Sequence, residues 1–175
     1  MIKLFEQFNN EQEIHDICKK YNIENYTINP DGSIDVEGNI DLSERNLKNI
    51  PLKFNKISGN FDCSINKLTT LEGCPKYVGG TFRCSHNKLT SLKGSPIIIE
   101  HDFYLSNNPI SIIDSSIEVK ITIRMSGTNF DDKIKNLSQD KLRILFEHGI
   151  DYDIFRNDGS INDSRLERLF KDFDL

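Results

Sequence analysis

Apolar residues recur through the middle of this chain with two periods at once. Within a stretch they alternate with polar residues, and the whole pattern then returns about every twenty-one residues. Ile57 to Thr69 (ISGNFDCSINKLT) is restated as Val78 to Thr90 (VGGTFRCSHNKLT), and Ile99 to Ser111 (IEHDFYLSNNPIS) keeps the spacing. An earlier copy runs from Glu37 to Asn49, and a shortened one from Lys120 to Phe130. The alternating pairs are Ile40 and Leu42, Phe61 and Cys63, Phe82 and Cys84, Phe103 and Leu105, and Ile123 and Met125. Apolar residues two apart mark a short strand with one buried face. Each copy therefore predicts one strand, and stacked copies predict a parallel sheet. Leu47 with Ile50, Leu68 with Leu71, Leu89 with Leu92, and Ile110 with Ile113 fill the rest of each layer. The fold class that follows is α/β, a short leucine-rich solenoid of four to five coils of about 21 residues.

Polar positions repeat as strictly as apolar ones. Asn66, Asn87 and Asn108 each fall three residues after the second core residue, where the coil turns and leaves backbone groups unpaired. An amide offers donor and acceptor together, so a stacked column of Asn can join one coil to the next. Ser43, Ser64, Ser85, Ser106 and Ser126 form a second column. Both recur in every coil they reach, which marks them as structural, since binding residues vary from coil to coil. Pro75 and Pro96 hold the return arm extended.

The flanks are patterned differently. Ile2, Leu4, Phe5 and Phe8 are expected to pack on the end of the core. Asn10 with Glu13 resembles a capping box, and Ile14, Ile17, Cys18 and Tyr21 follow at helical spacing, predicting a helix from about Glu11 to Lys20. YTINPDGSIDV then predicts a hairpin turning at Pro30-Asp31-Gly32. Beyond the repeats, Ser138 caps a predicted helix to about His148, DYDIFRNDGSIN predicts strand, turn and strand, and Ser164 with Glu167 predicts a capping box for a final helix. The chain divides into an N-terminal cap at 1–37, repeats at 38–130 and a C-terminal cap at 131–175, all one domain. The two flanks resemble each other in order, and a solenoid needs a polar-faced terminator at each end.

The spacing FxCSxNxLTxLxGxP, present in Phe61 to Pro75 and again in Phe82 to Pro96, resembles the leucine-rich repeats of short hypothetical proteins common in tailed bacteriophages. It is similar, more distantly, to the repeats of bacterial ubiquitin-ligase effectors. The match covers about Glu37 to Phe130, and the 45 residues after Phe130 are too few for an effector-type catalytic domain. The phage resemblance implies a small protein made in an infected bacterium that binds and inhibits a host or defence protein.

Composition narrows the chemistry. At 37% hydrophobic and 28% charged the chain is ordinary globular material, and no apolar run is long enough to span a bilayer. The N-terminus lacks an apolar signal core, so the expected compartment is the cytoplasm. Cys63 and Cys84 occupy core positions where other coils carry Leu or Met, which predicts buried, reduced thiols. A net charge of -5 argues against direct nucleic-acid binding. The Asp-Gly turns lack the carboxylates of an EF-hand, the four histidines are not at metal-ligand spacing, and no phosphate loop or nucleophile motif occurs. The reading is therefore a protein without enzymatic activity, cofactor or metal.

What remains is surface. In a leucine-rich coil the residues flanking the inward pair face the concave side. This gives one column of Asp41, Asp62, Arg83, Tyr104 and Arg124, and a neighbouring one of Glu44, Ile65, His86, Asn107 and Gly127. Both columns vary from coil to coil, and Arg and Tyr are frequent interface anchors. The expectation is a monomeric protein-binding module acting through that face. Alternatives are an acidic nucleic-acid mimic, drawn from Asp151, Asp153, Asp158, Asp163, Asp172 and Asp174, and a virion-associated structural component.

Overall fold

The computed structural model describes residues 2–156 and 160–175, with side chains from residue 11 onward. Helix α1 (Ile2–Lys20) leads into the hairpin β1 (Tyr26–Ile28) and β2 (Ile34–Val36). The hairpin pairs Tyr26 with Val36 and turns through Gly32 at φ 74, as Pro-Asp-Gly predicts. The sequence between Ile2 and Asn10 contains no Gly or Pro. The helix consequently starts at Ile2, and Asn10 lies inside it rather than capping it. The expected packing of Ile2, Leu4, Phe5 and Phe8 lies outside the described side chains.

The repeats form a parallel β-solenoid with two strands in every coil. The predicted strands are present as β3 (Ile40–Asp41), β5 (Phe61–Asp62), β7 (Phe82–Arg83), β9 (Phe103–Tyr104) and β11 (Ile123–Arg124). They make one five-stranded sheet. A second set alternates with them along the chain: β4 (Phe54–Ile57), β6 (Tyr77–Val78), β8 (Ile98–Ile99) and β10 (Glu118–Val119). With the hairpin, these form a six-stranded sheet in the order β1-β2-β4-β6-β8-β10. The expectation of one strand per coil is thus corrected to two. The second strand escaped the sequence reading because three of its four copies turn only one apolar residue inward (Val78, Ile99 and Val119), which shows no alternation, and the buried Phe54 and Ile57 of β4 lie three apart.

All five predicted inward pairs are buried, and the layers are completed by Leu68, Leu71, Leu89, Leu92, Ile110 and Ile113. Phe54, Phe61, Phe82 and Phe103 stack along the core axis with ring centroids 5.2, 5.8 and 5.5 Å apart. Neighbouring rings at such distances add about 0.5–1.5 kcal/mol per pair beyond burial. The last coil carries Ile123 where a further Phe would stand, and Phe146 closes the stack edge-on at 6.0 Å from Phe103.

Phe146 comes from α3 (Gln139–His148), capped by Ser138 as expected and preceded by a short helix α2 (Asp132–Lys135). The final helix, α4 (Asp163–Asp172), is capped by Asn162 and not by Ser164. Asn162 Oδ1 accepts from Arg165 N, and Ser164 Oγ donates to the same oxygen. The predicted second hairpin is a single antiparallel bridge, Phe155 to Ile161, among the described residues, and its turn at 157–159 lies outside them. No helix among the described residues is long and apolar enough to cross a membrane.

Candidate functional site

The side chains that hold the coils in register also fix the outward columns. Asn87 Nδ2 donates to Cys63 O and Cys84 O at 3.0 Å, while its Oδ1 accepts from Leu68 N at 2.9 Å. Asn108 repeats this with Cys84 O, Leu105 O and Leu89 N. Asn66 reaches Leu42 O and Cys63 O, and accepts from both Arg45 N and Leu47 N. Each amide thus ties its own coil to the preceding one across one buried corner, as the column predicts. A second ladder was not legible. Asn39 Oδ1 accepts from Asn60 N, and Asn60 Oδ1 from Thr81 N, both at 2.7 Å. It depends on Gly80, where a Cβ would stand 2.4 Å from Asn60 Oδ1.

On this frame the first predicted column occupies the second position of each strand in the five-stranded sheet. Asp41 pairs in register with Asp62, Asp62 with Arg83, Arg83 with Tyr104, and Tyr104 with Arg124. Asp41 and Arg124 are exposed and the three between them half-buried. Two like charges abreast would repel, but each Asp is turned back onto the following Ser. Asp41 Oδ1 accepts from Ser43 N and Oγ at 2.9 and 2.6 Å, and Asp62 does the same with Ser64. The Ser43 hydroxyl, with its backbone N–H, holds the Asp41 carboxyl below the usual range. At the other end Arg83 lies over the Tyr104 ring, 5.3 Å from its centroid. The column therefore runs from acidic to basic-aromatic.

The second column lies on the turn that leaves the sheet. Glu44, Ile65, His86, Asn107 and Gly127 all have positive φ, between 54° and 68°. Their place is fixed by the backbone: Ile65 N donates to Ser85 O, His86 N to Ser106 O and Asn107 N to Ser126 O, at 2.8 to 2.9 Å. Gly and Asn adopt this conformation readily, whereas a β-branched residue there is a genuine outlier. Ile65 nonetheless adopts it, with 51% of its surface exposed. The Asn107 amide meets His86 Nε2 at 3.1 Å.

The nucleophilic and ligating groups are placed elsewhere. Cys18, Cys63, Cys74 and Cys84 are free and buried, and burial pushes the Cys74 and Cys84 thiols well up, the reverse of what a reactive thiolate needs. Cys84 points inward and His86 outward, and no three His, Cys, Asp or Glu side chains converge on a metal position among the described residues. Several C-terminal carboxylates are already engaged. Asp163 pairs with Lys133 at 2.8 Å, Asp153 with Arg165, and Asp172 with Arg168 and the Tyr152 hydroxyl. Asp158 lies outside the described residues.

Compared with protein-family models, curated proteins and solved structures, the chain matches none.

Proposed function

We propose that the protein is a binding module without enzymatic activity, and that its partner, a protein, docks on the outward face of the five-stranded sheet around Arg83, Tyr104, Arg124 and Ile65. The observation that carries this reading is Ile65. A β-branched residue in the left-handed region costs about 1–2 kcal/mol. The same turn position is filled by Asn107 and Gly127 in later coils, so the fold does not require Ile there. About half of Ile65 stays exposed to solvent. Strain retained at an exposed apolar side chain has a rationale in recognition and none in folding. Beside it stands the stacked Arg83–Tyr104 pair, the residue types that dominate interface energetics. With the phage resemblance, this reading makes the partner a host or defence protein in a bacterial cytoplasm.

The nucleic-acid mimic is less well supported, because Asp153, Asp163 and Asp172 are engaged by Arg and Lys within the C-terminal cap. Two variants test the docking reading. Arg83→Ala/Tyr104→Ala/Arg124→Ala should lose, with its fold intact by circular dichroism, a partner that wild type captures from bacterial lysate. Ile65→Gly should raise stability while weakening the same capture. Unchanged capture by the triple variant sinks the proposal, and salt-sensitive capture that depends on the C-terminal Asp residues would favour the mimic.

A further inference from the structure

The open end of the five-stranded sheet carries a second recognition feature, which shares Arg124 alone with the surface around Arg83, Tyr104 and Ile65 and is told apart from it by Lys135. In the first four coils, three alternate backbone N–H groups reach to the next coil. In the fourth they are Phe103 N to Thr122 O, Leu105 N to Arg124 O and Asn107 N to Ser126 O, at 2.8 to 2.9 Å. The matching donors of the fifth coil are Ile123, Met125 and Gly127. The first of these is met by a side chain. Gln139 Oε1 accepts from Ile123 N at 2.8 Å, and Gln139 Nε2 donates to Ile123 O at 3.2 Å, reproducing both bonds of a neighbouring strand. Met125 N–H and Gly127 N–H have no acceptor among the described residues. They border a groove of about 440 Å³ between β11 and helices α2 and α3, walled by Leu142, Gln139 and Lys135.

The charge of this groove selects its occupant. Arg124 and Lys135 line it and no carboxylate does, in a chain of net charge -5. Lys135 is partnered by Asp132 at 3.3 Å, while Arg124 has no ion pair among the described residues. We infer that this edge accepts an extended acidic segment of a partner protein by parallel strand addition. Two of its carbonyls, two residues apart, accept from Met125 N–H and Gly127 N–H, and its carboxylates face Arg124 and Lys135. An unpaired sheet edge is otherwise a liability that proteins cover.

The test uses the full ¹⁵N-labelled chain and two fluorescent synthetic peptides, one alternating Glu and Val, the other Lys and Val. The Glu–Val peptide should shift the Met125 and Gly127 amide resonances and slow their hydrogen exchange, and the Lys–Val peptide should not. Lys135→Glu, and separately Arg124→Glu, should weaken the Glu–Val peptide at least about tenfold in fluorescence anisotropy. Two amides that ignore the Glu–Val peptide, or equal binding of both peptides, overturn the inference. So does a shift of the same amides that grows with protein concentration alone, since the occupant is then a second copy of this chain.

Discussion

The two ends of the solenoid are closed by different means. At the N-terminal end the six-stranded sheet is prolonged by more backbone: β2 pairs in parallel with β4, β1 pairs antiparallel with β2, and Ile14, Cys18 and Ile23 are buried in the core there. At the C-terminal end one backbone bond, Ile117 N to Phe146 O at 2.9 Å, is joined by side chains that stand in for the rest. Gln139 meets Ile123, Arg143 Nη1 donates to Ile121 O at 2.7 Å, and the Phe146 ring terminates the aromatic stack. Backbone closure is distributed over several residues and tolerates substitution at any one. Side-chain closure concentrates each function in a single residue, and it stops partway along β11, leaving the edge beyond Ile123 open.

That contrast can be broken by substitution. The largest effect should come from Phe146→Ala, which removes the ring from both Phe103 and Phe130 and should cost about 3–5 kcal/mol in urea denaturation. At the opposite end Cys18→Ala removes one small buried atom and should cost about 1 kcal/mol. Equal losses would show that the ends are closed alike. Next comes the ladder of amides, which also ends asymmetrically. Asn66 satisfies two N–H groups and the Leu42 carbonyl, whereas Thr128 ends the column with one bond, to Met125 O at 2.7 Å. Asn66→Ala should cost about 1–3 kcal/mol, more than Thr128→Val.

Gln139→Ala should cost less, about 0.5–1.5 kcal/mol, with the loss visible first as faster exchange of the Ile123 amide. Smallest is a pH effect confined to the N-terminal end. Asp31 sits below the usual carboxylate range, held there by the Lys53 ammonium and by the Ser33 hydroxyl and N–H. A depressed pKa gives stabilisation that is complete above the unfolded-state value and lost as pH falls through the folded one. Asp31→Asn should therefore lower the neutral plateau slightly and leave stability at the acid end unchanged, so that the acid limb flattens, and a parallel limb would remove Asp31 from the account.

Much of this was readable beforehand, and what was missed has physical causes. The Asn66, Asn87 and Asn108 ladder was legible because it recurs at the spacing of the buried pairs. Asn39 and Asn60 serve a similar corner but are replaced by Thr81 in the next coil, so two copies made no visible column. Arg83 and Tyr104 could be placed abreast from the repeat alone. That Ile65 is strained, and that Asp41 and Asp62 spend their carboxylates on Ser43 and Ser64, needed backbone angles and distances. Gln139 carried no signal, since a single polar residue on the first turn of a helix looks like solvent-facing surface.

By itself the sequence determined everything that depends on period: the coil length, the inward pairs of one sheet, the Asn corner and the helical flanks. Repetition multiplies a weak local preference by the number of coils. Only the tertiary structure decided how many sheets the coil makes, how each end is closed, and which edge amides are left without a carbonyl. The end closures are long-range contacts between residues 16 and 22 positions apart, where one contact occurs once and leaves no periodic trace in the chain.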